Sequence, residues 1–125
     1  MQVQVPVAVG ELFDKITILR IKAERIGDPA KEANVRRELE ALEAVARAVP
    51  ASAELDALVA RLHAVNAGLW DVEDGKRRHE REGRFDDAFV QLARRVYKEN
   101  DLRAAIKGQI NDLTGSALVE EKSHG

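Results

Sequence analysis

The sequence predicts an all-α fold of four helices, dominated by a long antiparallel hairpin of the third and fourth. Apolar residues recur at three- and four-residue spacing from Leu12 to Ile110, the period of a helix face. Punctuation is sparse, and Gly27, Pro50, Gly83 and Gly115 divide the periodic stretches. The last two stretches are each about thirty residues long, or ~45 Å of helix, with only a short turn at Gly83 between them. At 125 residues the chain has the size of one domain, 1–125, and can bury a core without staples.

Val3, Val5, Val7 and Val9 alternate along residues 1–9, which reads as a short strand, and Pro6 places it at an edge. Residues 117–122, ALVEEK, are its expected partner, giving a minor two-stranded pairing of the termini. Helix 1 runs from about Gly10 to Ile26. Its main stripe is Leu12, Ile16, Leu19, Ala23 and Ile26, while Ile18 and Ile21 lie opposite. Two apolar faces mark a central helix or one shared with a second subunit. Asp28-Pro29 supplies a cap and a first-turn proline for helix 2, which is expected from Pro29 to Val49 with Val35, Leu39, Leu42 and Ala46 inward. Ser52 caps helix 3, Ala53 to Glu82. Its inward arc holds Leu55, Leu58, Val59, Leu62, Val65, Asn66, Leu69, Trp70 and Glu73. Beyond Glu73 the same arc carries Lys76, Arg77 and Glu80, so the end of this helix is expected to project into solvent. Helix 4 runs from Phe85 or Asp86 to Leu113. Arms this long on a small chain call for a second copy to cover them, so a homodimer is expected.

Composition excludes several chemistries. The absence of cysteine rules out disulfides and thiolate metal sites and suits a reducing compartment. The N-terminus lacks the basic region and apolar run of a signal peptide, and no stretch near it approaches the ~20 apolar residues of a membrane span. A cytoplasmic protein without membrane association is expected. With 20 basic and 22 acidic residues, nucleic acid is an unlikely partner, and the run KRRHEREGR at 76–84 reads as a solvated tip. His63, His79 and His124 are scattered, with no HExxH, P-loop or GxGxxG, so neither a metal nor a cofactor is expected. No arrangement of Ser, His and acid suggests nucleophilic catalysis, and no catalytic residue is assigned.

One arc of helix 4 carries the functional signal. Phe85, Phe89, Leu92, Val96, Asn100, Arg103, Lys107 and Ile110 share about a quarter of the helical circumference. An unpaired charge costs several kcal/mol to bury, so Asn100, Arg103 and Lys107 on an inward face need partners or a ligand. Two cations there suit a phosphate or carboxylate. The alternatives are pairing with acids of helices 1 and 3, or a break in the helix that makes Asn100 a cap. Helix 3 offers Asn66 and Glu73 seven residues apart with Trp70 beside them, so Glu73 is a candidate partner for Arg103 or Lys107. Lys15 and Lys22 edge the main stripe of helix 1, with Glu11 four residues before Lys15. Asp14 lies on the far side near Ile21, where a subunit contact is one reading. Tyr97 flanks the helix 4 arc.

Three segments carry a family resemblance: VPVAVGELFDKITILRIK at 5–22, LWDVED at 69–74, and FDDAFVQLARRVYKENDLRAAIKGQIN at 85–111, followed by GSALVEEKS. The chain resembles, over nearly its whole length, a small bacterial family catalogued only as a domain of unknown function. Its GELxDKxTIL and LARxVYxxND motifs fall here on Glu11, Asp14, Lys15 and on Tyr97, Asn100, Asp101. The pattern extends to Lys22, Asn66, Trp70, Glu73, Asp74, Arg103, Lys107, Asn111, Glu120, Glu121 and Lys122. The resemblance implies a surface-polysaccharide or glycosyltransferase-like context and attaches no activity. Ala8 stands where a helix-capping serine is expected, and the chain ends KSHG where an aromatic is expected after Lys-Ser.

Three functions compete on these residues. The first is a non-catalytic binding module for a phosphorylated sugar or sugar nucleotide. Lys15, Lys22, Arg103 and Lys107 supply charge, Asn66, Asn100 and Glu73 hydrogen bonds, and Trp70 or Tyr97 a ring face. The second is a chorismate-mutase-like helical enzyme, to whose first helix DKITILRIKAERI is vaguely similar, although the arginines fall at other positions. The third is a dimeric scaffold in which the polar residues close into a salt-bridge network.

Overall fold

The structure, a computed structural model, describes residues 1–124. Four helices follow one another: α1 (Val9–Arg25), α2 (Pro29–Ala46), α3 (Ala53–Glu82) and α4 (Asp87–Thr114). Local chemistry sets their ends. The Asp28 carboxylate accepts from the Ala30 and Lys31 amides at 2.9 and 3.3 Å, and Pro29 needs no acceptor at the first helical position. Ser52 Oγ accepts from the Leu55 amide at 3.0 Å, and Asp86 Oδ1 from the Phe89 amide at 3.1 Å. Gly83 and Gly115 close α3 and α4 at φ 63° and 64°, a left-handed backbone that glycine adopts without strain. Helix 2 stops at Ala46 rather than Val49. Ala48 and Val49 donate only three residues back, to Val45 and Ala46, as the chain tightens towards Pro50.

The arms α3 and α4 pack antiparallel. Leu55 and Leu62 share a core with Ile110 and Ile106, Gly75 faces Leu92, and the His79 ring lies 5.9 Å from Phe89, so numbers fall on one arm as they rise on the other. Leu62 and Ile110 are 0% exposed, and burying each side chain contributes roughly 1.5–3 kcal/mol. Helix 1 is central and packs on all three other helices, whereas α2 lies on α1 alone, through Leu12, Ile16, Leu19 and Leu39. Both faces of α1 are therefore used within one chain. Ile21, on its second face, is 1% exposed with no second subunit present.

Three expectations are corrected. No strand forms among the described residues: Val3 and Val5 are exposed, and residues 117–122 are irregular. An isolated two-stranded pair has too little to bury, and Pro6 removes a donor from it. The termini still meet, because Val9 and Gly10 donate to Ser116 and Asn111. The end of α3 is not bare, since Val72 and His79 are buried and the His79 Nδ1 lies 3.0 Å from the Arg84 carbonyl across the turn. Phe85 lies outside the inward arc, 59% exposed, its ring edge-on to Phe89.

Candidate functional site

Residues Gly10, Asp14, Thr17 and Ile21 repeat at four, three and four positions, so they line one face of α1. All four are buried, and this face meets α3 and α4. Gly10 sets how close α4 comes, because a Cβ on it would stand 2.5 Å from the Lys107 carbonyl oxygen. Asp14, one turn on, is 1% exposed. Its carboxylate accepts from Arg103 Nε at 2.9 Å and from Arg103 Nη2, a bidentate fork, and from Asn66 Nδ2 at 2.9 Å. The same Asn66 amide donates to Thr17 Oγ1 at 3.0 Å, while the Thr17 hydroxyl donates to the Asp14 carbonyl at 2.8 Å.

Lys107 extends the network towards the C-terminus. Its ammonium donates to Glu11 at 2.7 Å and to Glu120 at 2.8 Å, and lies 3.8 Å from Asp14. Arg103 Nη1 reaches the Asn100 amide oxygen at 3.4 Å, Lys15 lies 3.9 Å from Glu11, and Lys122 pairs with Asp101 at 3.0 Å. Among the described residues no buried side-chain polar atom lacks a partner.

Protonation follows from this geometry. Burial pushes the Asp14 carboxyl up, but the Arg103 hydrogen bonds, then Asn66, then the two cationic charges outweigh it and hold it below the ordinary aspartate range. The Lys107 hydrogen bond holds Glu11 low against the opposing effect of burial. Burial pulls Lys107 down, yet Glu11 and Glu120 together raise it above an ordinary lysine. Arg103 is raised chiefly by its hydrogen bonds to Asp14. All four groups are held in their charged forms.

Asn100, Arg103 and Lys107 thus turn inward, as their spacing predicts, but their acids come from α1 and the C-terminal segment rather than α3. Glu73 is not their partner. It is exposed and pairs with Lys76 at 3.3 Å, one turn along its own helix. Asp14, read from the sequence as a far-side residue, is the centre of the cluster. Its signal was the Gly10-Asp14-Thr17-Ile21 spacing, a second inward face whose small and polar members let α4 approach.

Seven of the nine candidate residues divide between two clefts that share Arg103. Lys22, Asn66, Trp70, Glu73 and Arg103 line one of about 460 Å³, together with Arg77. Asn100, Arg103 and Lys107 line the other, of about 300 Å³, under Glu120 and Lys122. Lys15 and Tyr97 line neither; both are exposed, Tyr97 at 55%. Among the described residues, no group of three His, Cys, Asp or Glu is placed to hold a metal, and no helix is long and apolar enough to cross a membrane.

A helical chain with a buried ion network at the crossing of three helices is the class that fold and site define. It belongs to a family of unknown function (DUF6165), whose profile matches residues 1–125. Neither a curated protein nor a solved structure matches the chain.

Proposed function

We propose that this chain is a non-catalytic binding module that takes an anionic, ring-bearing small molecule, a phosphorylated sugar or sugar nucleotide, in the cleft between α1, α3 and α4. One observation carries the reading. Lys22 and Arg77 line that cleft with no ion-pair partner among the described residues, and half-buried Trp70 lines it with them. An indole face beside two uncommitted cations suits a sugar or base bearing a phosphate. Arg103 contributes structure rather than free charge, because Asp14 occupies its fork. That commitment also weighs against a chorismate-mutase-like enzyme, whose pocket needs arginines free to meet a dicarboxylate.

The test uses the single tryptophan. Titration with UDP-glucose and with glucose 6-phosphate is expected to quench Trp70 fluorescence and raise the melting temperature. Occupancy at a hundredfold excess over Kd adds about 2.7 kcal/mol. Lys22→Ala and Arg77→Ala are expected to weaken binding about tenfold each, the effect of losing ~1.4 kcal/mol. Unchanged fluorescence and melting with both ligands sinks the proposal.

The scaffold reading is favoured by a different observation, the closure of the Asp14 network with every buried side-chain polar atom among the described residues satisfied. In it the ion pairs fix helix register and the chain acts through its assembly. A homodimer, cytoplasmic location and a bacterial surface-polysaccharide setting belong to the proposal on the same footing. The groove between α1, α2 and α3, about 500 Å³ and lined by Phe13, Ile16, Val49 and Leu55 together with the charged Arg20, Glu43, Arg47 and Asp56, is the surface offered for a second copy. Light scattering after gel filtration decides the stoichiometry, and a monomer at all concentrations removes the dimer.

A further inference from the structure

The cleft under the C-terminal segment has a charge pattern of its own. Four cations and four carboxylates gather here: Lys15, Arg103 and Lys107 join Glu11, Asp14 and Glu120 in one connected set of ion pairs, and Lys122 pairs separately with Asp101. Their attachment differs. Seven of these side chains sit on or are pinned against helices, since Lys122 is tied to Asp101 of α4 at 3.0 Å. Glu120 leans in from the irregular segment after α4, its side chain 49% exposed, and its one ion pair among the described residues is to Lys107 at 2.8 Å. When Glu120 rotates into solvent, one positive charge is left over in a cleft of about 300 Å³. Its donors remain in place. Lys107 Nζ stays held by Glu11 at 2.7 Å, its side chain 8% exposed with Glu120 in place. Arg103 Nη1 is the guanidinium nitrogen that Asp14 leaves unused, and it touches Asn100 only at 3.4 Å. Lys122 stays at the rim on Asp101, its ammonium also reaching the His124 carbonyl.

We propose that Glu120 is a built-in stand-in for an external oxyanion, and that the phosphate of a small phosphomonoester replaces it on Lys107, Arg103 Nη1 and Lys122. A carboxylate and a phosphate oxygen make equivalent charge-assisted hydrogen bonds to an ammonium, and a guanidinium adds directional donors. The stand-in occupies the Lys107 donor that Glu11 leaves free, so the ammonium keeps two hydrogen-bonded acids when no ligand is present. It also sets a threshold: the ligand's apparent affinity is its intrinsic affinity reduced by the fraction of time Glu120 is turned away. The site does not rest on the Trp70 cleft.

The experiment titrates inorganic phosphate into the full chain at constant ionic strength, followed by amide NMR shifts. Saturable shifts are expected at residues 100–107 and 116–122, with the Trp70 indole signal unmoved. Glu120→Gln keeps the shape of a half-exposed side chain and removes its charge, so Kd is expected to fall about tenfold, as for a site freed from a stand-in that fills it about 90% of the time. Lys122→Ala in that background is expected to raise Kd again, whereas Lys22→Ala leaves it unchanged. Equal Kd for the wild type and Glu120→Gln overturns the proposal, as does the absence of saturable shifts in both. Shifts centred on Trp70 and abolished by Lys22→Ala overturn it too, and support the cleft reading instead.

Discussion

Asp14 on α1 and Arg103 on α4, 89 positions apart in sequence, form a forked ion pair at the crossing of three helices, with the carboxylate 1% exposed. Removing Arg103 strands the Asp14 charge in a place from which water is excluded, which typically costs about 3–5 kcal/mol. Arg103→Ala is therefore expected to destabilise the chain by about that amount in urea unfolding. The paired change Asp14→Leu with Arg103→Met removes both charges and fills their volume, and is expected to recover most of the loss. If the pair is as damaging as the single change, the ion pair has a value beyond its own charge balance.

Gly10 marks the close approach that brings this pair together. Gly10→Ala puts a methyl 2.5 Å from the Lys107 carbonyl and 3.0 Å from Asn111 Oδ1, so two helix backbones must part. Overpacking of this kind costs roughly 1–3 kcal/mol. Gly68→Ala, in mid-helix with nothing within 4 Å of the new Cβ, is the control and is expected to stabilise by roughly 0.5–1 kcal/mol. Melting temperatures that move in opposite directions for the two variants confirm that space, rather than helix propensity, decides at Gly10.

The helices were legible because their signals are local. Asp28-Pro29, Ser52, Gly83 and Gly115 punctuate the chain by chemistry that acts within four residues, and all four do so in the structure. Arg103 and Lys107 were legible as inward residues because their spacing continues the apolar arc of Leu92 and Val96. Their partners were not. A wheel drawn on α1 shows two occupied faces but not which helix each one meets, so Asp14 read as a subunit contact. Glu73 falls on the arc of Asn66 and lines the same cleft as Arg103, but Asp14 already occupies the Arg103 fork and a neighbouring lysine captures Glu73. Glu120 sits in a segment without periodicity, where pattern carries no information about a partner thirteen residues back.

The start of α1 is capped from the other end of the chain. Ala8 has no side chain able to cap, so the Val9 amide donates to Ser116 Oγ at 3.1 Å and the Gly10 amide to Asn111 Oδ1 at 2.7 Å. Both acceptors follow from how α4 ends, since the Ser116 amide folds back onto the Asn111 carbonyl at 3.0 Å. Ser116→Ala is expected to cost about 1 kcal/mol, the usual loss for a cap, and Asn111→Ala more, roughly 1–3 kcal/mol, because the amide it leaves is buried. Ala8→Ser supplies a local cap. Its hydroxyl accepts from the Gly10 or Glu11 amide, so it is expected to be nearly neutral alone and to offset part of the loss when combined with Asn111→Ala. Additive effects in that double-mutant cycle argue that the distant asparagine is not serving as the cap.

The charge cluster predicts a two-sided pH profile of stability. Asp14 and Glu11 have folded-state values below their ordinary ones, so their contribution is complete above the unfolded carboxylate range, about 4, and is lost as pH falls through the lower folded values. Lys107 is shifted the other way. Its folded value is raised, so its contribution is complete below the unfolded lysine value, about 10.4, and is lost as pH rises through the higher folded one. Urea unfolding free energies are expected to stay nearly flat between about pH 5 and pH 9.5, and to fall on both sides. Glu11→Gln removes one of the two low carboxyls and one of the two hydrogen-bonded acids on Lys107. It is therefore expected to flatten both limbs, lowering mid-range stability while leaving the values at the extremes closer to the wild type. A steep acid limb that survives unchanged in Glu11→Gln assigns that limb to Asp14 and to Asp86, whose carboxyl the Phe89 amide also holds low.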